Sequence, residues 1–123
     1  MTLSSLERFM SVQEAYDRGF GLRCEGRYGE ALMAFQQVLA SDPGHWRARW
    51  QMALIQGFQG DFDGSLEGLK KLVAEYPLEL EIRNDLAMTY NMLGYSEEAC
   101  AEFRAILQVN PDHENALRQV KFC

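Results

Sequence analysis

The chain predicts an all-α fold: three stacked helix–turn–helix units closed by a short final helix. Two observations carry the prediction. Pro43, Pro77 and Pro111 stand 34 residues apart, and Gly26, Gly60 and Gly94 repeat the same interval. Three further columns keep that period: Ala31, Ser65 and Ala99; Phe35, Leu69 and Phe103; Val38, Leu72 and Ile106. Interleaved columns at one period denote an internal repeat, which decides architecture before local propensity does. A unit this small cannot bury its own apolar face. Stacked units share one core and leave a long concave surface, better suited to holding another protein than to chemistry.

The elements follow in order. Residues 1–11 form an N-terminal helical extension: Ser4 and Glu7 have capping-box spacing, and Leu6, Phe9 and Met10 add an apolar turn. Repeat 1, residues 12–45, has Gly19 and Leu22 in its first helix, a break at Gly26-Arg27-Tyr28, then Ala31, Phe35, Val38 and Leu39 before Asp42-Pro43. Repeat 2, residues 46–79, has Met52-Ala53, Gly60-Asp61-Phe62, Ser65, Leu69, Leu72-Val73 and Tyr76-Pro77. Its glycines at 57, 60, 64 and 68 predict the least protected unit, since an interior Gly weakens a helix by about 1 kcal/mol relative to Ala.

Repeat 3, residues 80–113, is the clearest. Leu86, Ala87 and Tyr90 lie at helical spacing, and Leu93-Gly94 ends the run because Gly suits a left-handed cap. Ser96 is expected to cap the second helix, with Glu97 and Glu98 in the first turn where the helix dipole favours acids. Ala99, Phe103, Ile106 and Leu107 form its stripe. Asn110-Pro111 ends it, because the residue before proline is pushed out of the helical region. Asp112 is expected to cap a short final helix near Asp112–Val120, within the capping segment 114–123.

These residues resemble the tetratricopeptide repeat (TPR) signature, W-x₂-L-G-x₂-Y, then A-x₃-F, then P. The first unit reads Ala15-x₂-Arg18-Gly19-x₂-Leu22, Ala31-x₃-Phe35 and Pro43. The third reads Arg83-x₂-Leu86-Ala87-x₂-Tyr90, Ala99-x₃-Phe103 and Pro111. The signature Trp is absent, and the second unit departs most, with Arg49, Gln56 and Ser65 at signature places. The resemblance spans roughly residues 12–113 and implies a right-handed α-solenoid whose first helices line the concave face.

Composition narrows the function. Net charge is −6, and only three lysines are present, Lys70, Lys71 and Lys121. A sequence-independent grip on nucleic acid needs clustered Lys and Arg, so no nucleic acid is expected, and no anionic membrane. MTLSSLERFM lacks the basic and apolar regions of a signal peptide. Cys24, Cys100 and Cys123 lack metal-site spacing and are expected as reduced thiols of a cytoplasmic protein. Cys24 is expected as a small apolar filler. His45 and His113, each two residues past a repeat proline, are expected in solvated loops, too far apart to share a metal. No phosphate loop or convergent nucleophile appears, so neither enzyme activity nor a cofactor or metal is expected.

On the inner face that the resemblance implies, helical spacing selects Tyr16, Phe20 and Arg23 in the first unit. It selects Arg47, Trp50, Leu54 and Phe58 in the second, and Glu81, Asn84, Met88, Asn91 and Met92 in the third. An apolar band of this size marks a binding site. Trp50 and Phe58 are its expected anchors, and Asn84 and Asn91 are expected to hold a peptide backbone. Leu54 has a competing reading as packing between units. Relatives that bind acidic chaperone tails use a clamp of Lys, Arg and Asn. The equivalent places here hold Tyr16, Phe20, Glu81 and Asp85, so that use fails. Asp17, Glu81 and Asp85 favour an apolar segment with some positive charge.

The leading expectation is a protein–protein interaction module, an adaptor or chaperone that binds an apolar or amphipathic segment. In size and charge the chain looks like small TPR chaperones of bacterial secretion systems. The alternative is a self-assembling scaffold. A weak homodimer is expected from apolar ends at Leu6, Phe9, Met10, Ala116, Leu117, Val120 and Phe122. A competing arrangement has Leu6, Phe9 and Met10 folding back on their own first unit.

Overall fold

The computed structural model describes the backbone of residues 5–123 and the side chains of residues 12–123. The fold is an all-α helical repeat. Its helices are α1 (Ser5–Cys24), α2 (Tyr28–Ser41), α3 (Trp46–Phe58), α4 (Phe62–Glu75), α5 (Leu80–Met92), α6 (Ser96–Val109) and α7 (Glu114–Val120). Among the described residues there is no strand. The Ser4/Glu7 box and the side chains of Leu6, Phe9 and Met10 lie outside the described residues.

Turn chemistry sets the helix ends. Gly26, Gly60 and Gly94 adopt φ of 79°, 90° and 86°, the left-handed region that a side chain would strain. Around Gly26, Arg27 N–H reaches the Leu22 carbonyl at 2.9 Å; around Gly94, Tyr95 N–H reaches that of Tyr90 at 2.8 Å. Gly60 therefore shapes a turn and weakens no helix. The residues before the three prolines, Asp42, Tyr76 and Asn110, leave the helical region with ψ of 86°, 64° and 94°, as proline sterics demand.

The caps differ from expectation. Ser96 is the first residue of α6 and Tyr95 precedes it without a side-chain cap bond. Asp112 caps nothing; its N–H donates to Asn110 Oδ1 at 3.1 Å. Histidines cap instead. His45 Nδ1 accepts from Ala48 N–H at 3.1 Å, and His113 Nδ1 accepts from Ala116 N–H at 3.2 Å. An acceptor at the N-cap satisfies the N3 N–H, a donor that the helix leaves orphaned. Both histidines are half-buried, so neither is a solvated loop residue.

The chain divides into two compact units, residues 1–60 and 61–123. In the first, α1 packs on α2 and α2 on α3. Ala15, Ala31, Phe35, Val38, Ala48 and Ile55 form the core, covered by Val12, Tyr16, Leu22, Tyr28, Leu32, Leu39 and Met52. Gly19 lets α1 approach Phe35: a Cβ there would lie 2.8 Å from the Phe35 ring. In the second unit α5 packs on α4 and α6, and α7 on α6. Ala87, Ala99, Phe103, Ile106 and Ala116 are its core. A half-buried Arg83–Glu102 pair at 3.0 Å ties α5 to α6.

A disulfide joins Cys100 of α6 to Cys123, with Cα atoms 5.9 Å apart and a sequence separation of 23. The expectation of three reduced thiols is corrected here. α6 presents Cys100 where the turn after α7 returns the chain, a juxtaposition invisible to cysteine spacing. Cys24 is free and exposed, so it fills no core.

Candidate functional site

In the first unit, α1 and α3 bring together most of the expected inner residues. Tyr16 lies at the centre. Its ring stands 5.6 Å from Phe35 beneath it, 6.4 Å from Phe20 along α1 and 5.1 Å from the His45 imidazole at the start of α3. Burial raises the Tyr16 hydroxyl above its ordinary pKa, opposed by the Arg47 guanidinium, a hydrogen bond with Gln51 and the Arg23 guanidinium. Gln51 is buried, and its Oε1 has no partner.

At the far ends of the same helices, Arg23 lies against two phenyl rings, its guanidinium carbon 4.9 Å from the Phe20 centroid and 5.9 Å from that of Phe58. Phe20 is 40% exposed and Phe58 53%. Phe58 also stacks on Tyr28, the first residue of α2, at 5.6 Å. Trp50 is half-buried and stacks on Trp46 at 6.3 Å, and the Arg47 guanidinium lies over the Trp46 ring at 4.6 Å. Leu54 is half-buried. The result is a face of exposed aromatic rings with two arginines laid on them. Aromatic rings supply contact area, and a stacked guanidinium keeps its in-plane donors for a ligand.

The second unit treats its expected residues differently, because α7 reaches back to α5. His113 Nε2 lies 3.1 Å from Glu81 Oε1. Asn115 Nδ2 donates to Asn84 Oδ1 at 2.6 Å and approaches Met88 Sδ at 3.6 Å. Glu81, Asn84 and Met88 are thus already engaged within their own unit. Asn84 Oδ1, expected to hold a peptide backbone, is hydrogen-bonded by Asn115. Asn91 and Met92 stay exposed at the end of α5, Met92 at 65%.

Sequence reasoning missed Trp46, Tyr28 and Asn115. The signal for Asn115 was available: it stands 68 residues after Arg47, two repeat periods, as His113 does after His45. The α5–α7 contacts repeat the α1–α3 contacts in that register. Among the described residues, no group of three or more His, Cys, Asp or Glu is placed to hold a metal ion. No helix among them is long and apolar enough to cross a membrane.

Comparison with known proteins adds the following. Two family profiles, both described as tetratricopeptide repeat, match residues 47–78 and residues 80–113. Superkiller protein 3 of Schizosaccharomyces pombe is 31% identical over 81 residues, which is 66% of this chain and 5% of that protein. A tetratricopeptide repeat protein from Parabacteroides merdae superposes with a TM-score of 0.81 at 20% identity, over 90% of this chain and 44% of its own. The second TPR domain of human RPAP3, solved with the HSP70 peptide SGPTIEEVD, gives 0.78 at 18% identity, over 93% and 95%. At these identities the structural likeness establishes the fold. The chain spans a small fraction of Superkiller protein 3 and under half of the Parabacteroides protein.

Proposed function

Because the chain belongs to the tetratricopeptide repeat family, whose domains are protein-interaction modules, we propose that it is an adaptor or chaperone-like module whose inner helices bind an apolar or amphipathic segment of a partner protein. One observation carries the reading: Phe20 and Phe58 are large apolar side chains left 40% and 53% exposed on neighbouring helices of one unit. Exposed aromatics gathered on one face mark interaction sites. Trp50, Leu54 and Tyr16 extend that face on the same two helices.

The RPAP3 domains were solved with HSP70 and HSP90 peptides. The places of the basic clamp hold Tyr16, Phe20, Glu81 and Asp85 here, which speaks against the same grip. Catalysis is not part of the proposal; the repeat fold is generally a non-catalytic scaffold. A cytoplasmic setting is part of it, and the Cys100–Cys123 disulfide is the observation against that setting, since disulfides persist in oxidising compartments.

The test uses the full chain as bait in its native lysate, beside Phe58→Ala and Trp50→Ala. Truncating an aromatic anchor commonly costs ~2 kcal/mol of binding, so a partner held by the wild type should be lost by Phe58→Ala while circular dichroism is unchanged. Retention of the same partners by both folded variants refutes the reading. If instead light scattering across a concentration series shows dimers that Phe58→Ala abolishes, the self-assembling scaffold takes its place.

A further inference from the structure

Arg23 lies between the exposed rings of the first-unit face without a counter-charge. Its guanidinium rests on the rings of Phe20 and Phe58, and its Nε is buried without a hydrogen-bond partner. Among the described residues no carboxylate forms an ion pair with it, and none with Arg47 on the same face. Contact with the two rings stabilises the cation. It leaves the in-plane N–H donors unmet, and a guanidinium has five of them and no acceptor. In a chain of net charge −6, Arg23 and Arg47 place two cations without ion-pair partners on one aromatic face.

We propose that Arg23 receives the carboxylate of an aspartate or glutamate side chain in the bound segment, with an apolar residue beside that acid lying on the exposed rings of Phe20 and Phe58. The fork of the guanidinium matches a carboxylate two bonds at a time. The inference rests on the groove reading and changes its charge: the segment is acidic and apolar, where the sequence favoured a basic one on the strength of Asp17, Glu81 and Asp85. Glu81 is turned to His113, and Asp17 accepts from Gln13 at 2.9 Å. A nucleic acid would offer phosphate to the same arginine, but the overall acidity of the chain opposes a polyanion.

The experiment pans random linear octapeptides, displayed with their C-termini fused so that only side-chain acids are offered, against the full chain. Enriched sequences should carry Asp or Glu next to an aromatic or aliphatic residue. Made as amidated peptides and titrated by tryptophan fluorescence, their Glu→Gln versions should bind wild type at least about tenfold more weakly. With Arg23→Gln the two versions should bind alike. Arg23→Lys, which keeps the charge and loses the fork, should retain only part of the discrimination, and it carries the comparison if Arg23→Gln does not fold. Enriched peptides without an acid, or with Lys and Arg in its place, overturn the inference and leave the groove reading standing. So does a Glu→Gln loss that persists undiminished in Arg23→Gln. Failure to enrich any peptide, or binding of labelled oligouridine instead, removes both.

Discussion

Replacing Gly19 by Ala tests how closely the repeat is packed, because the same substitution two residues on serves as its control. A Cβ at Gly19 would lie 2.8 Å from Phe35 Cε1, 2.9 Å from Cζ and 3.0 Å from Cδ1. Carbon atoms rest at roughly 3.5–4.0 Å, so the ring or the helix must retreat by somewhat less than 1 Å. Phe35 is fully buried and cannot swing into solvent. Overpacking of this kind costs ~1–3 kcal/mol, and the helical preference of Ala over Gly returns ~1 kcal/mol. The net expectation is destabilisation by about 1 kcal/mol.

The lower part of that range is favoured by Ala87, which occupies the same repeat position in the second unit, fully buried in one cluster with Phe103. The repeat therefore tolerates a Cβ there once the helix pair is spaced for it. At Gly21 an added Cβ meets nothing within 4 Å, so Gly21→Ala should stabilise by ~0.5–1 kcal/mol. Both tryptophans of the chain, Trp46 and Trp50, lie in the first unit. Urea unfolding followed by their fluorescence therefore reads the right half of the molecule. Gly19→Ala matching Gly21→Ala in sign and size would refute the close approach. Coupling with Phe35→Leu sharpens the test: relief of the clash should make the double variant more stable than the sum of singles by ~0.5 kcal/mol or more.

Two further outcomes follow from the second unit. His113→Ala removes the α7 cap and the contact with Glu81, so it should destabilise by ~1 kcal/mol and release the Ala116 amide, visible as lost protection in hydrogen exchange; unchanged protection would mean the cap carries no weight. Reduction of Cys100–Cys123, or Cys100→Ser, should lower stability by ~2–4 kcal/mol, read by urea unfolding with and without reductant; equal midpoints, with the oxidised mass verified, would show that the link constrains nothing.

The helices were legible because their signals are local or periodic. Proline columns, positive-φ glycines and apolar stripes act within one unit, and their 34-residue recurrence averages out single departures such as Ser65. The N-caps were misread because propensity ranks Ser and Asp ahead of His; in the structure Ser96 falls one residue inside α6, while the ring of His113 also meets Glu81. The disulfide was illegible for a different reason, since nothing in the spacing of Cys100 and Cys123 says that the turn after α7 returns to α6. Helical spacing, applied to the face the resemblance implies, selected the expected inner residues. It did not select their partners, because pairing depends on which helix lies alongside.

That dependence explains why two units built on one repeat differ in what they offer a partner. In a register of 68 residues, Tyr16 corresponds to Asn84, Phe20 to Met88, Arg23 to Asn91 and Arg47 to Asn115. In the second unit the amide of Asn115 bridges Asn84 and Met88, and neutral groups satisfy one another. In the first, arginine stands in the place of that amide and tyrosine in the place of its acceptor. The Tyr16 hydroxyl is hydrogen-bonded with Gln51, and a guanidinium, all donor and no acceptor, cannot bridge its neighbours as the Asn115 amide does. Arg47 stacks on Trp46 instead, and Arg23 on Phe20 and Phe58. The same backbone frame thus yields a self-satisfied α5–α7 contact in one unit and, in the other, an α1–α3 face whose cations remain to be matched from outside.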